Sequence, residues 1–224
     1  AILHKAESNQ GEGVQFVVFS RNATGMRVLL YDQSHDRDPT EVISFEPKHD
    51  RFGDVWSIFV PELKHGQLYH FQADGLFDTS SGQSFDPTAR LIDPYSKALA
   101  GHFLQHHDGI VRPPKSVVVD DTFDWRGDQH LRHGLADTVI YEMHVKGFTA
   151  DASSGVTHPG TYLGVIEKIP YLKSLGITAV ELMPVHEFPL ESFTGKHCKH
   201  ENYWGYDPLA FFAPHQGYAA SKLP

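Results

Sequence analysis

The sequence predicts two architectures in succession: an antiparallel β-sandwich of immunoglobulin type over residues 1–100, then a strand–helix–strand unit of a parallel sheet from residue 137 onward. Three observations predict this. Short apolar or alternating runs recur through the first hundred residues with turn-forming clusters between them. One of these runs keeps strict period-two alternation. After Asp137 the pattern changes to strand, helix, strand, the pattern of a parallel crossover.

The front half contains five runs: Val14–Ser20, Met26–Tyr31, Glu41–Phe45, Val55–Val60 and Leu68–Asp74. In the last, Tyr69, Phe71 and Ala73 share one face, and His70, Gln72 and Asp74 the other. Trp56, Ile58 and Val60 form a similar inward set. Arg21-Asn22-Ala23-Thr24-Gly25 and Lys64-His65-Gly66 supply turn chemistry between strands. Periodicity weakens after Gly75, and residues 101–136 read as an ordered connector.

Beyond it, Thr138–Val145 reads as a strand and Gly147–Gly160 as a Gly-rich polar loop. A helical segment is expected over about Tyr162–Leu175, broken near Pro170 into a short irregular turn and then a helix from about Pro170, because proline lacks an N–H and suits a first helical turn. Gly176 supplies its stop. Ile177–Val185 reads as a second buried strand. A parallel pair needs covered faces and paired edges, and the residues after Val185 are loop-like. The sequence is therefore expected to be a portion of a longer chain, leaving an unpaired sheet edge and a tendency to self-associate.

Composition limits the partners. Across 224 residues, 19 Lys plus Arg against 28 Asp plus Glu give a net charge of −9, and this argues against nucleic-acid binding. No apolar run is long enough to span a membrane, and no basic, apolar leader is visible, so no membrane partner is expected. The single cysteine, Cys198, excludes an internal disulfide and points to a reducing compartment, read as the cytoplasm.

Several segments carry a specific resemblance. Tyr141-Glu142-Met143-His144-Val145-Lys146-Gly147-Phe148 resembles the first barrel strand of the α-amylase superfamily (glycoside hydrolase family thirteen). The stretch from Lys168 to Val185 is similar to its first helix and second strand. Asn202-Tyr203-Trp204-Gly205-Tyr206-Asp207-Pro208 is similar to the loop beyond that strand. Phe19-Ser20-Arg21-Asn22-Ala23-Thr24 and Leu91-Ile92-Asp93-Pro94-Tyr95-Ser96-Lys97-Ala98 resemble the starch-binding-type sandwich that precedes the barrel. The combination is most similar to bacterial glycogen debranching enzymes and isoamylases.

The resemblance implies a domain order of sandwich (1–100), connector (101–136) and the opening βα units of an incomplete (β/α)₈ TIM barrel (137–224). It implies a retaining hydrolase of α-1,6 branch linkages in glycogen or limit dextrin, with two carboxyl groups roughly 5–5.5 Å apart. Those carboxylates belong to later strands in the family, so no catalytic residue maps onto this chain and the chain alone is expected to be inactive. Within the family's loop, Tyr206 corresponds to the tyrosine that stacks on the sugar at the cleaved bond, with Asp207 and Trp204 beside it as further substrate-binding candidates. Tyr203 and Trp204 are expected to hold Tyr206 in place.

Other candidates have plainer readings. Tyr141, Glu142 and His144 are expected to be structural, as are Glu181 and Glu187, which are close in sequence. Trp56 and Tyr69 fall on inward positions and are expected in the core, although glucan contact is the alternative. His186 and the run His197-Cys198-Lys199-His200 lack the paired spacing of a zinc site, no oxygen-ligand cluster suggests calcium, and no metal or cofactor is implied. Two further functions stay open: a non-catalytic glucan-binding or scaffold module, and a glycogen-branching or trehalose-forming relative.

Overall fold

The computed structural model describes residues 1–5, 11–101, 104–105, 111–190 and 202–221. The chain divides into two compact units, Ala1–Asp121 with Ala210–Ala213, and Thr122–Leu209 with Pro214–Pro224.

The first unit is a sandwich of two antiparallel sheets. Its strands are β1 (Ile2–His4), β2 (Gly13–Phe19), β3 (Gly25–Tyr31), β4 (Glu41–Ser44), β5 (Arg51–Phe52), β6 (Val55–Pro61), β7 (Leu68–Asp74), β8 (Phe77–Asp78), β9 (Gln83–Ser84), β10 (Leu99–Ala100), β11 (Leu104–Gln105), β12 (Val111–Arg112) and β13 (Lys115–Val117). One sheet runs β1-β2-β6-β5 and the other β10-β13-β7-β3-β4, while β8-β9 and β11-β12 are separate two-stranded ladders. The alternation read from sequence fills the space between the sheets. Val14, Phe16 and Val18 from β2 meet Met26, Val28 and Leu30 from β3, Trp56 from β6, and Tyr69, Phe71 and Ala73 from β7. Burial of such side chains is worth about 1.5–3 kcal/mol each, so this layer carries the stability of the unit. Trp56 and Tyr69 are fully buried, which removes the glucan-contact alternative for both. The Trp56 indole donates to the Ser20 carbonyl at 3.1 Å, and the Tyr69 hydroxyl donates to Asp93 at 2.6 Å. Buried Asp93 also accepts from the Tyr95 amide at 2.8 Å, which gives the Asp93-Pro94-Tyr95 segment a structural purpose.

Two expectations change here. The connector assigned to 101–136 is divided: Lys115–Val117 pairs with both β10 and β7, so the sandwich continues to Asp121. Three-residue strands carry too few alternations to be read as strands from sequence. His70 lies on the face opposite the core but is also buried. A second layer covers it: Lys115 sits over the Tyr31 ring at 4.6 Å and donates to the carbonyls of Ser34 and Asp36 at 2.7 and 2.9 Å.

In the second unit, β14 (Ile140–Met143) pairs in parallel with β15 (Ala179–Leu182), in the register Ile140↔Ala179, Tyr141↔Val180, Glu142↔Glu181 and Met143↔Leu182. The helices α1 (Val145–Thr149), α2 (Tyr162–Glu167) and α3 (Ile169–Ser174) lie between them in the chain. The strand expected over Thr138–Val145 is shorter because His144 leaves it to cap α1, its Nδ1 accepting from the Gly147 amide at 3.0 Å. The helical segment expected over about Tyr162–Leu175 and broken near Pro170 is two helices, α2 and α3; where an irregular turn was expected, Thr161 caps α2 through the Gly164 amide at 3.2 Å. Pro170 occupies the opening turn of α3, and Gly176 at φ 79° follows its end. The strand expected over Ile177–Val185 ends at Leu182, and Pro184 has no N–H with which to continue a ladder. A short strand β16 (His186–Glu187) follows. The expected burial of β15 is not observed: Val180, Glu181 and Leu182 are exposed, since among the described residues the pair forms a sheet of only two strands.

Candidate functional site: an aromatic loop at the ends of the parallel strands

The loop from Asn202 to Pro208 is built around one side chain. The Asn202 amide nitrogen donates to the carbonyl of Pro189 at 3.1 Å and to the Asp207 carboxylate, while its carbonyl oxygen accepts from the Gly205 amide at 3.1 Å. Its backbone N–H donates to Leu190 at 2.8 Å. Gly205 has φ 73°, and a Cβ there would lie 2.5 Å from the Phe188 ring. Glycine is required twice over, by the left-handed backbone and by the close approach.

His144 anchors the other side of the loop. Tyr203 stacks on its ring at 4.1 Å between centroids and 8° between planes. Because Nδ1 accepts from Gly147, Nε2 carries the proton and donates to the Tyr203 carbonyl at 2.7 Å. The Tyr218 hydroxyl stands 3.1 Å from the same nitrogen, and burial pushes this phenol up to about 12. Trp204 meets Tyr203 edge-on at 5.1 Å. The apolar support beneath is Val145, Phe188 and Tyr218.

Held in this way, the loop presents Tyr206 to solvent at 70% exposure. Its ring borders an open groove of about 360 Å³ lined by Glu142, Glu181, Met183, Pro184, His186 and Pro208. An exposed ring fixed by neighbours it does not itself need can offer its flat face to an apolar surface, such as the C–H face of a pyranose.

The three predicted substrate-binding residues have different surroundings. Tyr206 lies on the groove. Asp207 is bonded to Asn202 and braces the loop. Trp204 is half exposed and packs on Tyr203. The proximity of Glu181 and Glu187 in sequence does not extend to their surroundings. Glu187 is buried and bonded to His215 Nδ1 at 2.9 Å, whereas Glu181 lies opposite Glu142 on the neighbouring strand. Sequence reading missed Tyr218 and His215, which reach His144 and Glu187 from far along the chain and have no local pattern to mark them. His197, Cys198, Lys199 and His200 lie outside the described residues. Among the described residues, no group of three or more His, Cys, Asp or Glu side chains is placed to hold a metal ion, and no helix is long and apolar enough to cross a membrane.

Comparison with known proteins agrees with this architecture. Residues 3–96 match carbohydrate-binding module 48, the isoamylase N-terminal domain. Over 94% of its length the chain is 40% identical to isoamylase 1, chloroplastic, of Oryza sativa subsp. japonica, of which it spans 27%. It is 38% identical to isoamylase SU1, chloroplastic, of Zea mays, of which it spans 28%. Among solved structures, pullulanase from Bacillus acidopullulyticus matches 95% of this chain with a TM-score of 0.69 and 26% identity, the match covering 25% of that protein. A pullulanase described as GBS pullulanase SAP in complex with maltotetraose matches 96% with a TM-score of 0.74 and 24% identity, over 28% of its length. The chain is similar to these isoamylases over nearly its whole length and spans about a quarter of theirs.

Proposed function

We propose that this chain is the N-terminal part of a debranching glycoside hydrolase that cleaves α-1,6 branch linkages in an α-glucan such as glycogen or limit dextrin. In this reading β14, the three helices and β15 open a (β/α)₈ barrel, and the groove under Tyr206 is one wall of its substrate cleft. The observation that carries it is the placement of an exposed, braced tyrosine at the C-terminal end of a parallel strand pair, where barrel enzymes build their sites. The isoamylase likeness supports the same reading.

The chemistry assigned to the whole enzyme is a double displacement. One carboxylate attacks the anomeric carbon, and the other protonates the leaving oxygen and then activates water. These carboxylates would come from barrel strands outside this chain. Glu142 and Glu181 are not given those roles, since they sit side by side on the first two strands. Tyr206 would stack on the sugar at the cleaved bond, Trp204 would line the approach, and Asp207 would keep the loop closed through Asn202. A single cysteine suits a reducing compartment such as the cytoplasm.

The test is made on the full-length gene product with amylopectin, following release of linear chains. Tyr206→Ala should lower kcat/KM roughly a hundredfold, about 2.7 kcal/mol of transition-state stabilisation, with an unchanged melting temperature. A full-length protein that binds amylopectin but releases no linear chains would replace this reading with the scaffold one.

A further inference from the structure

We infer that the buried Glu187–His215 pair is a positioning device for the aromatic loop: it fixes the Phe188 ring and the Tyr218 hydroxyl, and through them the direction in which Tyr206 is offered to substrate. The inference deepens the reading above and rests on it for the role of Tyr206.

Both side chains are buried, and neither lines the groove under Tyr206. A carboxylate has acceptors only, so His215 Nδ1 donates to one Glu187 oxygen at 2.9 Å, and the Gln216 amide donates to the other at 2.9 Å. The backbone closes the same turn. The His215 N–H donates to the Val185 carbonyl at 2.7 Å, and the Tyr218 N–H donates to the His215 carbonyl at 3.1 Å. Stability alone does not call for such a pair, since well-packed apolar groups of similar volume serve as well in a core. What apolar groups do not supply is direction. Here the hydrogen bonds fix the plane of the His215 ring and the turn Gln216–Tyr218 that follows it.

Two routes lead from the pair to the loop. In the first, His215 stacks on Phe188 at 3.9 Å between centroids and 12° between planes. Phe188 is the ring against which Gly205 rests too closely to admit a Cβ. In the second, Tyr218 meets His215 edge-on at 4.5 Å and brings its hydroxyl to His144 Nε2 at 3.1 Å. That nitrogen donates to the Tyr203 carbonyl at 2.7 Å. The routes reach the loop at Tyr203 and Gly205, on either side of Trp204, and Gly205 directly precedes Tyr206. Tyr206 is itself largely exposed, so the backbone held at Gly205 decides where its ring stands. A shift of about 1 Å at a group that meets substrate can cost up to about a hundredfold in rate, even when its cause is remote.

The test uses the full-length gene product, with kcat/KM for release of linear chains from amylopectin and with hydrogen exchange of the same protein. Glu187→Gln turns one acceptor into an NH₂ facing an N–H, so one of the bonds to His215 and Gln216 is lost. It should lower kcat/KM about tenfold and raise exchange at the amides of residues 203–206, leaving the β14–β15 amides unchanged. In a Tyr206→Ala background the same substitution should change kcat/KM by less than about twofold, because the group being positioned is gone. His215→Gln keeps a donor toward Glu187 but loses the flat ring, and it carries the same expectations should Glu187→Gln fail to fold. Losses that multiply in the double variant would assign the pair to the core and overturn the inference, with the Tyr206 reading intact. Full activity of Tyr206→Ala would overturn the stacking role and this inference together. If the parent releases no linear chains, the debranching reading falls and loop exchange decides alone: a rise confined to residues 203–206 upholds the positioning role, and no rise overturns it.

Discussion

His70 should make the first unit acid-labile well above the carboxylate range. Its ring is buried against Tyr31 at 5.3 Å and bonded to the Pro114 carbonyl at 2.9 Å. Burial above all holds its pKa down to about 4 from 6.5. The Lys115 and Arg90 cations push the same way, and the Pro114 carbonyl opposes them. Between these two values the unfolded chain binds a proton that the native state refuses. Stability is therefore fully present above pH 6.5 and is lost as pH falls toward 4. The gap of 6.5 − 4, at about 1.4 kcal/mol per unit, amounts to about 3 kcal/mol in total, of which about 2 kcal/mol is gone at pH 5. With a urea m-value of about 2 kcal/mol/M, that is a midpoint lower by about 1 M. The assay is urea unfolding at pH 7.5 and pH 5, followed by the fluorescence of buried Trp56. His70→Gln is the comparison, because it keeps a donor and an acceptor but does not titrate. The parent should lose about 1 M more than the variant between the two pH values. Equal losses would refute the assignment and place the acid sensitivity elsewhere.

Three further outcomes are expected. Gly205→Ala forces a Cβ onto the Phe188 ring in a left-handed backbone and should cost about 2 kcal/mol, read as a lower melting temperature of the second unit and lost turnover in the full-length enzyme. Trp56→Ala empties the centre of the sandwich and removes its bond to Ser20, so the first unit should lose about 3–5 kcal/mol in urea titration. The second unit exposes Ile140, Val180, Leu182, Ile166, Ile169 and Leu175. The 224-residue chain should therefore bind an apolar-surface dye and self-associate with concentration in sedimentation; a monomer that binds no dye would show this surface to be inert.

The sequence by itself determined what depends on near neighbours. Strict alternation placed β7, and the inward sets of β2, β3 and β6 followed the same period, because a side-chain repeat of two is a local property. The aromatic loop was legible through its resemblance to a family motif, and the bonds by which Asn202 closes it onto Gly205 and Asp207 came from the structure. Tertiary structure decided what depends on distant pairing. The short strands β13 and β10 extend the sandwich only because β7 offers β13 an edge and β13 in turn offers one to β10. His70 became buried because the Lys115 segment returns over its face. Glu187 found His215 and Glu181 found Glu142, although sequence proximity alone had associated the two glutamates with one another. The stack of Tyr203, His144 and Tyr218 assembles from three separate stretches of chain. Local periodicity fixes which way a side chain points within its strand, but which group it meets there depends on where the rest of the chain folds back.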